Sequence, residues 1–89
     1  MAITRAEEER RNRIRLAAAA YAYEVDSDPV MSDAEYDALA AKIDTSIKTG
    51  HRTLDKFFAE HFAPHTGQWI HQHPEIKRIP RIVAIMRGK

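Results

Sequence analysis

The chain has 89 residues and a formal net charge of +1, with 44% hydrophobic and 30% charged residues. Its length allows one small domain with a modest core, and its composition is ordinary for a globular protein. It contains no cysteine, which excludes a disulfide framework, and no apolar run near the length of a membrane span. Its N-terminus is charged rather than apolar, so we expect no signal peptide. We therefore expect a single cytoplasmic domain over residues 1–89, without membrane contact.

The charges are distributed unevenly along the chain. Residues 1–15 hold five Arg and three Glu, residues 16–76 hold four basic and ten acidic residues, and residues 77–89 hold five basic and no acidic residues. A polyanion would therefore meet the C-terminal segment first. The candidate nucleic-acid contacts are Lys77, Arg78, Arg81, Arg87 and Lys89.

The first predicted element is a long helix. Thr4 and Glu7 match the capping-box pattern at its start, and the four consecutive alanines in its second half have high helix propensity. Its first half is charged, and apolar residues at helical spacing predict a buried stripe toward its C-terminal end. The stripe consists of Ile14, Ala18, Tyr21 and Val25.

A turn separates this helix from a second one. Pro29 fixes its own backbone and biases Asp28 away from helical geometry, so the first helix must end before Asp28. Ser32 and Glu35 form a second capping-box pattern, which predicts a helix that starts at Ser32 and ends at Gly50. The small side chains of the first helix would let this second helix approach closely, as an antiparallel hairpin requires.

The two faces of the second helix differ in chemistry. Asp33, Tyr36 and Asp37 fall at i, i+3 and i+4, so two carboxylates and a phenol share one face. Such carboxylates could serve in acid–base chemistry, although exposed carboxylates on a capped helix are usually only solvated. The opposite face is apolar and carries Leu39, Ala40, Ile43 and Ile47.

This hairpin resembles a known module. The segments that carry the resemblance are Tyr21-Ala22-Tyr23-Glu24-Val25, Asp28-Pro29 and Ser32-Asp33-Ala34-Glu35-Tyr36-Asp37. Over about residues 5–48 they are similar to the N-terminal helical (Ia) module of the NAD-dependent bacterial DNA ligases, with its Tyr-x-Tyr-His and Asp-Ala-Glu-Tyr-Asp pattern. That module binds the nicotinamide mononucleotide half of NAD. The resemblance therefore implies a cofactor site at Tyr23, Asp33, Tyr36 and Asp37.

The chain departs from the ligase pattern in two ways. Glu24 stands where the family has histidine, which adds a negative charge beside the expected position of the nucleotide phosphate. The adenylation motif Lys-x-Asp-Gly is also missing, because Lys42-Ile43-Asp44 is followed by Thr45. We therefore expect a protein that is not an enzyme and has no cofactor, with NAD or nicotinamide mononucleotide as the ligand that the resemblance would imply.

The second half of the chain contributes most of the aromatic residues. A third helix is predicted from Thr53 to Phe62, with an apolar stripe that contains Leu54, Phe57, Phe58 and Phe62. A loop follows at residues 63–68, and Trp69 and Ile70 should close the core. A short fourth helix should begin at Pro74 and be interrupted by Pro80, which leaves residues 81–86 as either a helical turn or an extended apolar segment. The predicted fold is an all-α bundle of about four helices built on the hairpin, with segments 5–48, 49–76 and 77–89.

Four histidines form the second group with chemical potential. They lie within a short stretch and are His61, His65, His71 and His73. Imidazole is a common metal ligand, but Pro64 breaks the helical spacing between the first two histidines. We therefore expect no metal site, with the histidines serving as caps, turn donors or surface residues. His73, which precedes Pro74, is suited to capping.

Three functions from different classes follow from these patterns, in decreasing order of preference. The first is a small interaction or regulatory protein, with a protein partner, that uses the ligase-like hairpin as a scaffold; its shortness is in the style of bacteriophage-encoded proteins. The second is a binding module for nicotinamide mononucleotide or NAD. The third is a nucleic-acid-binding protein that acts through the basic C-terminal residues.

Overall fold

The computed structural model describes residues 3–88, which form four α-helices and two 3₁₀ helices and contain no strand. The α-helices are α1 (Arg5–Glu24), α2 (Asp33–Lys42), α3 (Arg52–His61) and α4 (Ile79–Met86), and the 3₁₀ helices are Gln68–Gln72 and Ile76–Arg78. The predicted all-α bundle is confirmed. No helix within this described part combines the length and apolar character needed to cross a membrane.

The ends of α1 and the start of α2 follow the local rules read from the sequence. The Thr4 hydroxyl caps α1 by accepting a hydrogen bond from the amide of Glu7 at 3.1 Å. Ser32 and Glu35 form the complete capping box at the start of α2, with both reciprocal hydrogen bonds at 3.1 Å. Between the two helices, Ser27 adopts a positive φ of 52°, which turns the chain before Pro29.

Helix α1 lies at the centre of the bundle. Tyr23 at its end lies beside Asp33 at the start of α2, whereas Glu9 near its start binds the backbone of Asp44 just after α2. The two helices are therefore antiparallel, as predicted. Helix α4 packs against α1: Ile79 and Ile82 share a cleft with the first half of α1, and Arg87 after the end of α4 contacts Asp26 after the end of α1.

The core combines the alanine face of α1 with the aromatic residues of the second half. Phe58 is 2% exposed and packs against Trp69, with the ring centroids 5.4 Å apart. Ile70 and Val83 are also buried beneath α1. The predicted role of the aromatic stripe and of Trp69 in closing the core is confirmed, with Phe62 half-buried at its edge.

The buried face of α1 differs from the predicted stripe. Ile14 and Val25 are 37% and 43% exposed, whereas Glu9 and Arg13 in the charged half are each 3% exposed. The prediction was wrong here because apolar spacing alone does not show that two opposite charges on one face can be buried as a pair. The buried surface of α1 therefore extends almost to its N-terminus.

Helix α2 is shorter than predicted, because it ends at Lys42 rather than at Gly50. Ile43 is extended, and the Asp44 carboxylate accepts a hydrogen bond from the amide of Ser46 at 3.0 Å, which closes a turn. Along this loop, hydrogen bonds with the side chains of Glu9 and Arg13 on α1 take the place of helical backbone hydrogen bonds. Gly50, with a φ of +92°, lies in the loop just before α3.

The role predicted for Pro80 was also wrong. Pro80 lies in the first turn of α4, where its missing amide would have no helical partner in any case. Residues 81–86 are helical, which settles the choice left open by their sequence. His73 does act as a cap, but of a turn, since its Nδ1 accepts a hydrogen bond from the amide of Glu75 at 3.0 Å.

Candidate functional site

The four residues implied by the ligase resemblance line a single groove. Tyr23 comes from the last turn of α1, and Asp33, Tyr36 and Asp37 come from the first turns of α2. The groove has a volume of about 430 Å³, and its other walls are the residue 29–31 turn and the residue 65–67 loop. We call it the acidic groove.

The capped start of α2 determines which side chains enter the acidic groove. Because Ser32 fixes the first turn, the i, i+3, i+4 spacing directs Asp33, Tyr36 and Asp37 to the same side. Tyr23 is 57% exposed and forms part of the rim. Gly67 closes the opposite wall, where an added Cβ would lie 3.4 Å from Ala20.

Tyr36 is the best-anchored side chain of the groove. Its hydroxyl donates a hydrogen bond to the carbonyl of Thr66 at 3.3 Å, and the indole N–H of Trp69 donates to the same carbonyl at 2.9 Å. Burial, with smaller contributions from the negative charges of Glu24 and Asp37, raises the pKa of Tyr36 to about 12. The phenol therefore stays protonated and remains a hydrogen-bond donor at neutral pH.

The charge of the groove is negative. Glu24, Asp33 and Asp37 all line it, and no Lys or Arg of residues 3–88 does so. None of the three carboxylates forms an ion pair within the described chain, and His65 is the one lining residue able to carry positive charge. A cation is thus electrostatically favoured in the groove and an anion is disfavoured.

A buried charge network lies at the other end of α1 and was missed by the sequence interpretation. Arg13 Nε donates to Glu9 at 2.6 Å, and its Nη1 donates to Asp55 at 2.9 Å. Its Nη2 donates to the carbonyls of Asp44 and Ile47, both at 3.0 Å. All buried side-chain polar atoms in the described residues have hydrogen-bond partners, so we interpret this network as structural rather than catalytic.

Two of the basic residues near the C-terminus, Arg78 and Arg87, contact acidic residues. Arg87 donates a hydrogen bond to the carbonyl of Asp28 and lies 3.7 Å from the carboxylate of Asp26. Arg78 pairs with Glu75 at 3.1 Å. The remaining predicted nucleic-acid contacts are Lys77 and Arg81, which are exposed, and Lys89, which lies outside the described residues. The nucleic-acid hypothesis stays a prediction.

The four histidines are divided between the Phe57 ring, the acidic groove and the exposed surface. His73 packs edge-on against Phe57 with centroids 5.1 Å apart, and His61 lies against the same ring at 5.4 Å. His65 belongs to the acidic groove, and His71 is exposed. Within residues 3–88 no three side chains of His, Cys, Asp or Glu are close enough together to hold a metal ion.

Comparison with protein-family models, with curated proteins and with solved structures finds no significant match to this chain. The resemblance to the ligase module therefore stays a prediction from the quoted residues.

Proposed function

We propose that this protein is a small non-catalytic interaction protein whose acidic groove binds a lysine or arginine side chain of a protein partner. The observation that supports this most strongly is the presence of three carboxylates without a cationic partner in one groove, beside two tyrosines. A partner's basic side chain would supply the missing positive charge, and the Tyr23 and Tyr36 rings offer it apolar and cation–π contacts.

The volume of the groove agrees with this type of ligand. About 430 Å³ is large enough for an extended basic side chain and its flanking backbone. Arginine fits the arrangement best, because its planar guanidinium can pair with a carboxylate and stack on a tyrosine at the same time. The rigid Tyr36 provides one fixed wall, and the exposed Tyr23 can adjust to the ligand.

A titration with a short arginine peptide tests the proposal. Chemical-shift mapping should show saturable changes around Tyr23, Tyr36 and Asp37, and the same peptide with citrulline in place of arginine should bind about tenfold more weakly because it lacks the charge. The Asp33→Asn/Asp37→Asn variant should weaken arginine-peptide binding to a similar extent, while Glu60→Gln on α3 serves as the matched control. Equal binding of the two peptides would refute the proposed charge recognition.

A second candidate function is binding of nicotinamide mononucleotide or NAD. The convergence of Tyr23, Asp33, Tyr36 and Asp37 in one groove is the observation that favours it. Glu24 opposes it, because this carboxylate lines the same groove and would face a ligand phosphate. We therefore expect both nucleotides to bind with dissociation constants above about 1 mM. Saturable shifts confined to the groove at micromolar nucleotide would favour this second function instead.

A further inference from the structure

A second depression lies between α1, α3 and α4. Its walls are mostly apolar and include Ile14, Leu54, Phe58 and Ile82, and it has a volume of about 220 Å³. We call it the α1–α4 cleft. Ile14 is 37% exposed in spite of its apolar side chain, so part of the apolar wall remains open to solvent.

The volume of the α1–α4 cleft limits the size of its ligand. Drug-sized ligands occupy pockets of about 300–1,000 Å³, and an apolar cavity of about 150 Å³ accepts benzene. A cleft of about 220 Å³ therefore matches one aromatic ring or one branched alkyl group with a small polar substituent. A longer ligand would extend beyond the walls into solvent.

The charges around the cleft indicate the nature of that substituent. Arg10, Arg13 and Arg78 line the cleft, whereas Glu75 is the one acidic residue among its lining residues. Arg13 is already paired with two carboxylates, and the Glu75 carboxylate lies 3.2 Å from His51 and 3.1 Å from Arg78. Arg10 forms no ion pair within residues 3–88, so its guanidinium remains available to an anion.

We propose that the α1–α4 cleft binds a small carboxylic acid, with its ring or branched alkyl group against Ile14 and Ile82 and its carboxylate paired with Arg10. The rim of the cleft already holds one anionic group, the Glu75 carboxylate, which pairs with Arg78. The carboxylate of the ligand would be a second anionic group there, paired with Arg10. This site is separate from the acidic groove and has the opposite charge preference. The two sites would therefore take ligands of different chemistry.

The test is a chemical-shift titration of the whole protein with 3-phenylpropionate and with the neutral 3-phenylpropionamide. The acid should give saturable shifts at Ile14, Leu54 and Ile82, and it should bind about tenfold more tightly than the amide, as expected for one charge-assisted hydrogen bond. A peptide that ends in a free phenylalanine carboxylate shows whether the same chemistry on a chain terminus binds equally well.

Two variants locate the contacts. Arg10→Gln should weaken binding of the acid about tenfold, whereas Arg11→Gln, which removes an exposed arginine of the same helix outside the cleft, should leave it unchanged. Ile14→Ala should weaken the acid and the amide equally, because it removes only apolar contact. Equal affinity for acid and amide, shifts outside the cleft, or an Arg11→Gln effect as large as that of Arg10→Gln would overturn the proposal.

Discussion

Arg13 is the residue on which the arrangement of the first half of the chain depends most. It binds Glu9 on its own helix, Asp55 on α3 and two backbone carbonyls of the loop after α2, and its guanidinium carbon lies 5.1 Å from the centre of the Phe58 ring. Burial alone would raise the pKa of Asp55, but hydrogen bonds from Thr49 and Arg13 outweigh burial and lower it. Arg13 thus joins α1, α3 and the loop after α2.

Replacement of Arg13 should therefore be among the most destabilising changes on α1. Arg13→Met preserves much of the side-chain volume but leaves the buried Glu9 and the half-buried Asp55 without their cationic partner, which should lower the free energy of unfolding by about 3–5 kcal/mol. Urea denaturation followed by circular dichroism measures this loss. Arg11→Met, at an exposed position of the same helix, is the control. Similar midpoints for the two variants would show that the network contributes little.

His73 should make stability depend on pH. Burial lowers its pKa below 6.5, with a smaller opposing effect of Glu75 and a further lowering by His51. Between the two pKa values, His73 is protonated in the unfolded chain more than in the folded chain. The stabilisation that comes from burying neutral His73 is therefore fully present above pH 6.5, and it is lost as the pH falls toward the lower pKa of the folded state.

The His73→Asn variant isolates this effect. Asparagine can still accept the hydrogen bond from the amide of Glu75 but does not titrate. The variant should be less stable overall, because it loses packing against Phe57, yet its stability should fall less between pH 7 and about pH 5 than that of the parent protein. Identical slopes in urea denaturation over that range would contradict the assignment to His73.

The aromatic stripe of α3 packs this helix against Trp69 and the rest of the core. Phe57 and Phe58 lie on the buried side of the helix, and both rings are within 6.1 Å of Trp69 between centroids. Helical spacing predicted this stripe correctly, because a large aromatic side chain has few stable locations other than a core. The capping-box pattern predicted the start of α2, and helical spacing from that start predicted the shared face of Asp33, Tyr36 and Asp37.

Phe58→Ala tests the packing of α3. Phe58 is 2% exposed, so its removal should lower the free energy of unfolding by about 3–5 kcal/mol, most of the stability of a domain of this size. Phe62→Ala, at a half-buried position of the same stripe, should cost clearly less. A thermal melt with little loss in Phe58→Ala would reject the core assignment.

The features that sequence reasoning missed depend on contacts between distant parts of the chain. Glu9 and Arg13 are buried because Asp44 and Asp55, far along the sequence, supply partners for them. Helix α2 ends early for the same reason, since its following loop is bound by α1 rather than by its own helical bonds. Arg87 donates a hydrogen bond to the carbonyl of Asp28, although its sequence position suggested a basic tail. None of these pairings has a local sequence signal.

At the scale of the whole molecule, two of the depressions that α1 helps to line differ in the charge of their lining residues. The acidic groove carries three carboxylates, and the α1–α4 cleft is lined by three arginines and one glutamate. The net charge of +1 conceals this separation. A protein whose lining charges are separated in this way should discriminate between ligands mainly by the sign of their charge.

The most direct test of the central claim compares nicotinamide riboside with nicotinamide mononucleotide in the acidic groove. The two ligands share the cationic pyridinium ring and the ribose, and only the second carries a phosphate. Because Glu24, Asp33 and Asp37 line the groove, the riboside should bind at least about tenfold more tightly in a chemical-shift titration. Tighter binding of the mononucleotide would contradict selection for cations and would support nucleotide binding as the function of this groove.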